Sequence, residues 1–398
     1  VTYVSVGDVA EVNPKFLPKN RADLAKEISF VPMAEVSDEH GRIENEVYRP
    51  LGEVLKGFTP FEDGDILVAK ITPCFENGKI AHASISREWG FGSTEFHVLR
   101  GNSELVDDRY LFHFVRTPAV RLAGERRMTG SAGQKRVPKA FLEALKLPLP
   151  PLPEQKRIAA ILDQADALRE KRRAAIAKLD ELLQSVFLDM FGDPVTNPKG
   201  WDSKKKLGDV SEIVSGITVG RKLKAKRIRV IPYLAVVNVQ DRHLNLAQIK
   251  TIEATDEEIE RYSLMKNDLL LTEGGDPDKL GRGALWKDEL PTCIHQNHIF
   301  RVRILARELN PTYLNFLVGS VLGKRYFMKS AKQTTGIASI NMTQLRNFPI
   351  LMPPNDLQHR FEKCVMRVEE QKQQIGQNQQ KLNDLFSSLQ QRAFLGEL

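Results

Sequence analysis

Cysteine is scarce. Cys74, Cys293 and Cys364 are the only three in 398 residues, and they stand far apart. No Cys-X-X-Cys pair occurs, so neither a structural zinc site nor a disulfide scaffold is expected. A reducing, cytoplasmic setting fits that usage. No run of about 20 apolar residues exists, which argues against a membrane-spanning helix. The opening stretch Val1-Thr2-Tyr3-Val4-Ser5-Val6 lacks a basic start and a long apolar core, so no secretory signal is expected.

Motifs that carry chemistry are missing too. Binding a flipped adenine for methylation calls for Asn or Asp, then Pro-Pro and an aromatic. Met352-Pro353-Pro354-Asn355 has those letters in the wrong order. Gly90-Phe91-Gly92 is too short for a glycine-rich cofactor loop. Asn77-Gly78-Lys79-Ile80 and Gly319–Lys324 fail the phosphate-loop spacing and lack its hydroxyl. Asp276-Pro277-Asp278-Lys279 reads as a turn before it reads as a nuclease centre, and His295 and His298 have no evident further metal ligands. No catalytic role, bound cofactor or metal is expected.

What is present is length, moderate basicity and repetition. A chain this long predicts two or three domains. The net charge of +7 is compatible with nucleic acid without establishing it. Lys178-Leu179-Asp180-Glu181-Leu182-Leu183-Gln184-Ser185 resembles Lys381-Leu382-Asn383-Asp384-Leu385-Phe386-Ser387-Ser388; from 178 to 381 the offset is 203. The same offset pairs Gln155 with Gln358, Phe191 with Phe394, and Pro150-Pro151 with Pro353-Pro354. Gly64-Asp65-Ile66-Leu67 matches Asn267-Asp268-Leu269-Leu270, and Tyr110-Leu111 matches Tyr313-Leu314. Ordered matches over two halves mark a duplication.

Each half reads as a globular domain followed by a long helix. Short β-like runs such as Asp65–Ala69 and His298–Val302 alternate with turn signals. The fold class expected is α/β (mixed α+β), with irregular, mostly antiparallel sheets and short helices near Asp108–Ala123 and Pro311–Lys329. The boundaries are 1–147 and 194–350 for the globular domains, with spacer helices in 148–193 and 351–398. From Glu154 to Phe191 there is neither Gly nor Pro, and Gly192-Asp193-Pro194 ends the run. Ile158, Ile161, Ala165, Leu168, Leu179, Leu182 and Val186 recur at heptad spacing. So do Phe361, Cys364, Val368, Ile375, Leu382, Leu385 and Leu389. Two such helices pair most simply antiparallel, at roughly 57 Å each. Arg172, Gln371 and Asn378 make the middle polar: an exposed, weakly packed stretch or a register lock. Leu162, Ile176, Leu183, Met190, Val365 and Phe386 flank the seam. They either face a docked partner or widen the core.

Basic, glycine-bearing loops recur at matching places. Arg126-Arg127 precede Thr129-Gly130-Ser131-Ala132-Gly133-Gln134-Lys135-Arg136. In the second half Lys329, Lys332, Gln333, Thr334 and Thr335 precede Gly336. Glycine admits close backbone approach, and hydroxyls and cations hold phosphate. A further run, Arg221, Lys222, Lys224, Lys226 and Arg227, has no equally basic counterpart. Candidate base readers are Lys70, Lys79, Ser93, Thr94, Glu95 and Gln134 in the first domain. In the second they are Glu273, Asp276, Lys279, Arg282, Gln296, Asn297 and Gln333. Solvated loops are the plain alternative for all of them.

The string Leu147-Pro148-Leu149-Pro150-Pro151-Leu152-Pro153-Glu154-Gln155-Lys156-Arg157-Ile158 resembles the "LPLPPLxEQxxI" approach to the first helix of type I restriction–modification specificity (HsdS) subunits. Thr129-Gly130-Ser131 and Glu273–Arg282 resemble loops of that family. The second helix approach, Met352-Pro353-Pro354-Asn355-Asp356-Leu357-Gln358, lacks the Glu-Gln pair. The resemblance spans essentially the whole chain. It implies two pseudo-twofold-related target recognition domains, each reading half of a split site in double-stranded DNA, with an antiparallel coiled coil setting the gap. It also implies two docked modification subunits, which bind S-adenosylmethionine and methylate adenine at N6, and restriction subunits in the full complex. A two-domain scaffold that binds proteins rather than DNA is the alternative.

Overall fold

The computed structural model describes residues 2–15, 23–131, 133–222, 227–275, 280–334 and 337–398. The chain divides into two compact units. Val1–Ala175 with Ile375–Leu398 form the first, and Ile176–Gln374 the second.

In the first unit the central strand is Ile66–Ala69, wholly apolar and buried on both faces. Ile66 and Val68 enter one hydrophobic core, Leu67 and Ala69 another, because side chains alternate along a strand. Such a strand reads in sequence as an unbroken apolar run. Phe96–Gly101 pairs antiparallel with it, Ala10–Val12 lies beyond Phe96–Gly101, and Ile80–His82 forms the other edge. A second sheet orders Val47–Pro50, Glu27–Val31, Gly90–Gly92 and Thr59–Phe61, with one parallel pair, Glu27–Val31 on Gly90–Gly92.

The second unit repeats this plan. Its sheet runs Ser211–Ser215, Ile299–Ile304, Leu269–Thr272, Gly283–Leu285 in the same spatial order, all antiparallel. Lys250–Ala254, Arg229–Leu234 and Ile294–His295 form the other sheet, again with one parallel pair.

The repeat extends to single hydrogen bonds. Buried Asp65 accepts a bidentate pair from Arg100 at 2.8 and 2.7 Å, and buried Asp268 the same from Arg303 at 2.8 and 2.7 Å. The residue before each, Gly64 or Asn267, has positive φ, a conformation open to glycine and tolerated by asparagine. Tyr110 donates to the Pro148 carbonyl, and Tyr313 to that of Leu351. Phe394 packs on Tyr110 and Phe191 on Tyr313, with ring centroids 5.2 and 4.7 Å apart.

The two short helices expected per chain are four. Asp108–Val115 is followed by Pro118–Glu125, and Pro311–Val318 by Val321–Ser330. Pro118 has no N–H to continue the first helix, and Thr117 starts a new one by accepting from the Val120 amide. In the other half the break falls at Gly319-Ser320.

The long helices are Leu152–Phe191 and Asn355–Leu395. They pack antiparallel within each unit. In the first, Ile158, Ala159 and Leu162 share a core with Phe386, Leu389 and Ala393, and Arg169 donates to Asn383 at 2.8 Å. In the second, Leu179, Leu183 and Phe187 share a core with Phe361, Val365 and Val368, and Lys372 reaches Asp180 at 2.8 Å. The buried stripe differs from the expected heptads. Leu168, Leu182 and Leu385 are about half exposed, while Leu162, Leu183, Phe187 and Phe386 are buried. Each helix also packs on a globular core, and that third surface turns the stripe away from a two-helix seam. Gln371 and Asn378 are exposed, so neither is a buried register lock.

Candidate nucleic-acid interface

One end of the first unit's main sheet gathers most of that half's candidates. Lys70 follows Ile66–Ala69, and Ser93-Thr94-Glu95 precede Phe96–Gly101. The Lys70 amide donates to the Glu95 carbonyl at 2.8 Å, and the Ser93 hydroxyl accepts from the Glu95 amide. The loop 129–136 folds back on this end. Arg136 bridges both Ile71 and Thr129, and Val137 N–H donates to the Lys70 carbonyl. Thr72, which the sequence did not single out, fastens the loop: its hydroxyl donates to the Gly133 carbonyl and accepts from the Lys135 amide. Arg136 grips Glu95 through Nε and Nη2 at 2.9 and 2.8 Å. That guanidinium, with Lys70 adding to it, holds the Glu95 carboxyl below its ordinary range. Thr94, Arg126, Arg127, Ser131, Gln134 and Lys135 are exposed around it.

The second unit builds the corresponding end on the same backbone bonds. Glu273 follows Leu269–Thr272, and Gln296-Asn297-His298 precede Ile299–Ile304. The Glu273 amide donates to the His298 carbonyl at 2.9 Å, and Ile340 N–H donates to the Glu273 carbonyl. The returning loop is a hairpin, Lys332–Thr334 with Ile337–Ser339, and Gly274–Gly275 adds a third strand. Gly274 lies so close to this strand that a Cβ there would come within 2.9 Å of the Ala338 carbonyl oxygen. His298 Nδ1 lies 2.7 Å from Glu273 Oε2. Lys329 is exposed at the end of Val321–Ser330. Lys224, Lys226, Asp276, Lys279 and Thr335 lie outside the described residues.

Several candidates are occupied by the fold itself. Lys79 donates to the Met33 carbonyl at 3.1 Å. Arg282, 203 positions later, turns in the same way to Gln240 at 3.0 Å. Arg221 was expected in a free basic run but is clamped on both carboxylate oxygens of Glu258 and on the Glu253 carbonyl; Lys222 and Arg227 beside it are exposed. The flanking apolar set is corrected in part. Leu162, Leu183 and Phe386 are 0, 2 and 8 % exposed and belong to the cores of their own units, so they offer no surface to a partner. Met190 and Val365 pack at the edge of the second unit's core, and Ile176 is half-buried. Sequence reasoning missed His298 as a polar partner of Glu273. The signal available was its place 203 residues after Glu95.

Comparison with known proteins gives one answer. The sequence model of the type I restriction modification DNA specificity domain matches residues 1–178 and again 198–384. The Escherichia coli type I restriction enzyme EcoAI specificity subunit is 38% identical over 189 residues, 46% of this chain and 32% of that subunit. The EcoKI specificity subunit of Escherichia coli K12 is 24% identical over 336 residues, 81% of this chain and 72% of that one. This chain thus spans about a third of the EcoAI relative that it matches more strongly. A chain solved in work on complex assembly and conformational transition of the type I R-M system has the same fold. It has TM-score 0.58, 19% identity and coverage of 100% and 98% of the two chains. With two matched copies of the domain laid on one duplicated scaffold, the chain belongs to the type I restriction modification DNA specificity domain family.

Proposed function

We propose that this chain is the DNA specificity subunit of a type I restriction–modification enzyme and carries no chemistry of its own. Residues 1–147 and 194–350 act as target recognition domains, each reading one half of an asymmetric bipartite site. The helices in 148–193 and 351–398 set the gap. Two modification subunits dock on the chain, bind S-adenosylmethionine and methylate adenine; restriction subunits complete the complex. No described helix is long and apolar enough to cross a membrane, and the complex works on cytoplasmic DNA.

The observation that carries the reading is the divergence of the loop ends on one repeated scaffold. The same backbone bonds hold Lys70, Glu95 and Arg136 in one unit and Glu273 and His298 in the other. A shared frame with different polar side chains suits two readers of unlike sequences. Exposed Arg126, Arg127, Lys135 and Lys329 sit beside these ends, where cations would meet phosphate and set position without reading sequence.

Methylome sequencing of cells carrying this chain with its modification subunit tests the proposal. The expected result is N6-methyladenine in two short, unlike half-sites about one helical turn apart, with a fixed non-specific gap. An assembled complex that adds no motif and shows no salt-dependent binding to duplex DNA would favour the protein scaffold instead.

A further inference from the structure

The two loop ends differ in more than identity: their hydrogen-bonding sign is exchanged. In the first unit both oxygens of Glu95 are taken by Arg136. Among the described residues Lys70 donates no side-chain hydrogen bond, and a lysine ammonium has three donors and no acceptor. This end therefore displays donors. In the second unit the residue on the Lys70 backbone frame is Glu273, and the residue on the Glu95 frame is His298. Their contact uses Glu273 Oε2 and His298 Nδ1. Among the described residues no other group takes Glu273 Oε1, and a carboxylate oxygen accepts hydrogen bonds. His298 is 56 % and Glu273 33 % exposed, so both reach solvent. This end displays acceptors.

We propose that this position reads one base pair in each half-site, and that the exchange makes the two readings opposite. Lys70 donates to the acceptor edge of guanine, O6 and N7. Glu273 accepts from an exocyclic amino group, N4 of cytosine or N6 of adenine. Both edges are presented in the major groove, where the four base pairs are distinguishable by such patterns. Because the backbone bonds are shared, the side chain alone carries the difference. The inference rests on the DNA-reading function proposed above.

The test uses the chain assembled with its modification subunits and methylation of duplexes carrying single substitutions across the wild-type motif. Lys70→Gln is expected to relax one position of one half-site, lowering the preference for guanine there on the order of tenfold and leaving the other half-site unchanged. Glu273→Gln is expected to relax one position of the other half-site, lowering the preference there for the base that presents the amino group, cytosine or adenine. Lys70→Arg, which keeps the donors, retains guanine. Assembly of each variant is checked by size, and Lys70→Arg carries the test if Lys70→Gln fails to assemble: a lost guanine preference in that donor-keeping variant would count against the proposal. If the wild-type complex methylates a defined motif and both Gln variants keep the same preferences, the base-reading inference is overturned while DNA reading stands. A uniform loss over all duplexes also overturns it, by placing these side chains on phosphate. If the wild-type complex selects no motif, the underlying reading fails, and this inference with it.

Discussion

At His295 burial outweighs hydrogen bonding. Its ring nitrogens face the carbonyls of Tyr262 and Val214 at 3.1 and 3.3 Å, which would favour a charged imidazolium. The side chain is fully buried, and desolvation, with the Arg301 charge adding to it, pushes the pKa from 6.5 down to about 4. The unfolded chain therefore binds the proton first as pH falls. Stability from the neutral ring is complete above the unfolded value and is lost as pH drops from about 6.5 toward 4. The loss amounts to about 3 kcal/mol. Burial lowers His113 as well, despite its contact with Asp163, and adds to the same limb in the first unit. Urea denaturation at pH 7 and pH 4.5 should show the drop, and His295→Gln should flatten the second unit's share of it. An equal slope in that variant would place the acid sensitivity elsewhere. Nothing in the sequence distinguishes His295 from His298 three residues on. His295 is buried in the strand Ile294–His295, while His298 is exposed beside Glu273 in the turn before Ile299–Ile304.

The helix approaches show an element held by one side chain. Gln155 accepts from the Asp107 amide at 2.9 Å and donates to the carbonyls of Leu105 and Pro150 at 3.1 and 2.8 Å. Gln358 repeats the pattern with Asn310, Glu308 and Pro353 at 2.8, 3.0 and 2.8 Å. Each glutamine ties the end of a proline-rich turn to the cap of a domain helix. Gln155→Ala strands three backbone groups in a closed site and should cost on the order of 3 kcal/mol in chemical denaturation, as should Gln358→Ala. A cost under about 1 kcal/mol would mean water replaces the amide. These glutamines were legible as a matched pair at offset 203, while their partners were not, because the partners are backbone groups. A second repeat was hidden for another reason. In the first unit Arg116 stacks over Phe112, reaches Asp166, and fills the space beside Gly41. In the second, Arg242 stands where Gly41 would be, stacks over Phe316, and lies beside Gly319, the counterpart of Arg116. The guanidinium fills the same slot from opposite walls. Gly41 and Arg242 both have positive φ, so the turn survived while the residue types traded places. A residue-by-residue match scores both positions as mismatches.

For the whole molecule, the duplication and the long helices were legible because they rest on periodicity and fixed offsets, which survive divergence. The buried stripe was not, since each helix answers to a globular core as well as to its partner. That finding decides how the gap-setting role should be tested. Ala165–Lys171 carries Asp166 and Arg169, which hold Arg116 and Asn383, so removing it would damage the first unit itself. Arg172–Lys178 and Gln374–Gln380 contain no buried residue. Deleting both segments takes one heptad from each long helix and leaves each unit's core in place. Each helix shortens by about 10 Å, and at about 3.4 Å per base pair the gap should close by about three base pairs. Both half-sites should keep their bases, because the loop ends that would read them are untouched. Methylation-site mapping of the deleted and full-length chains, each assembled with its modification subunits, reads the gap directly. A motif with unchanged spacing would show that the helices do not set it; a motif with altered bases would show that the helices shape the readers as well.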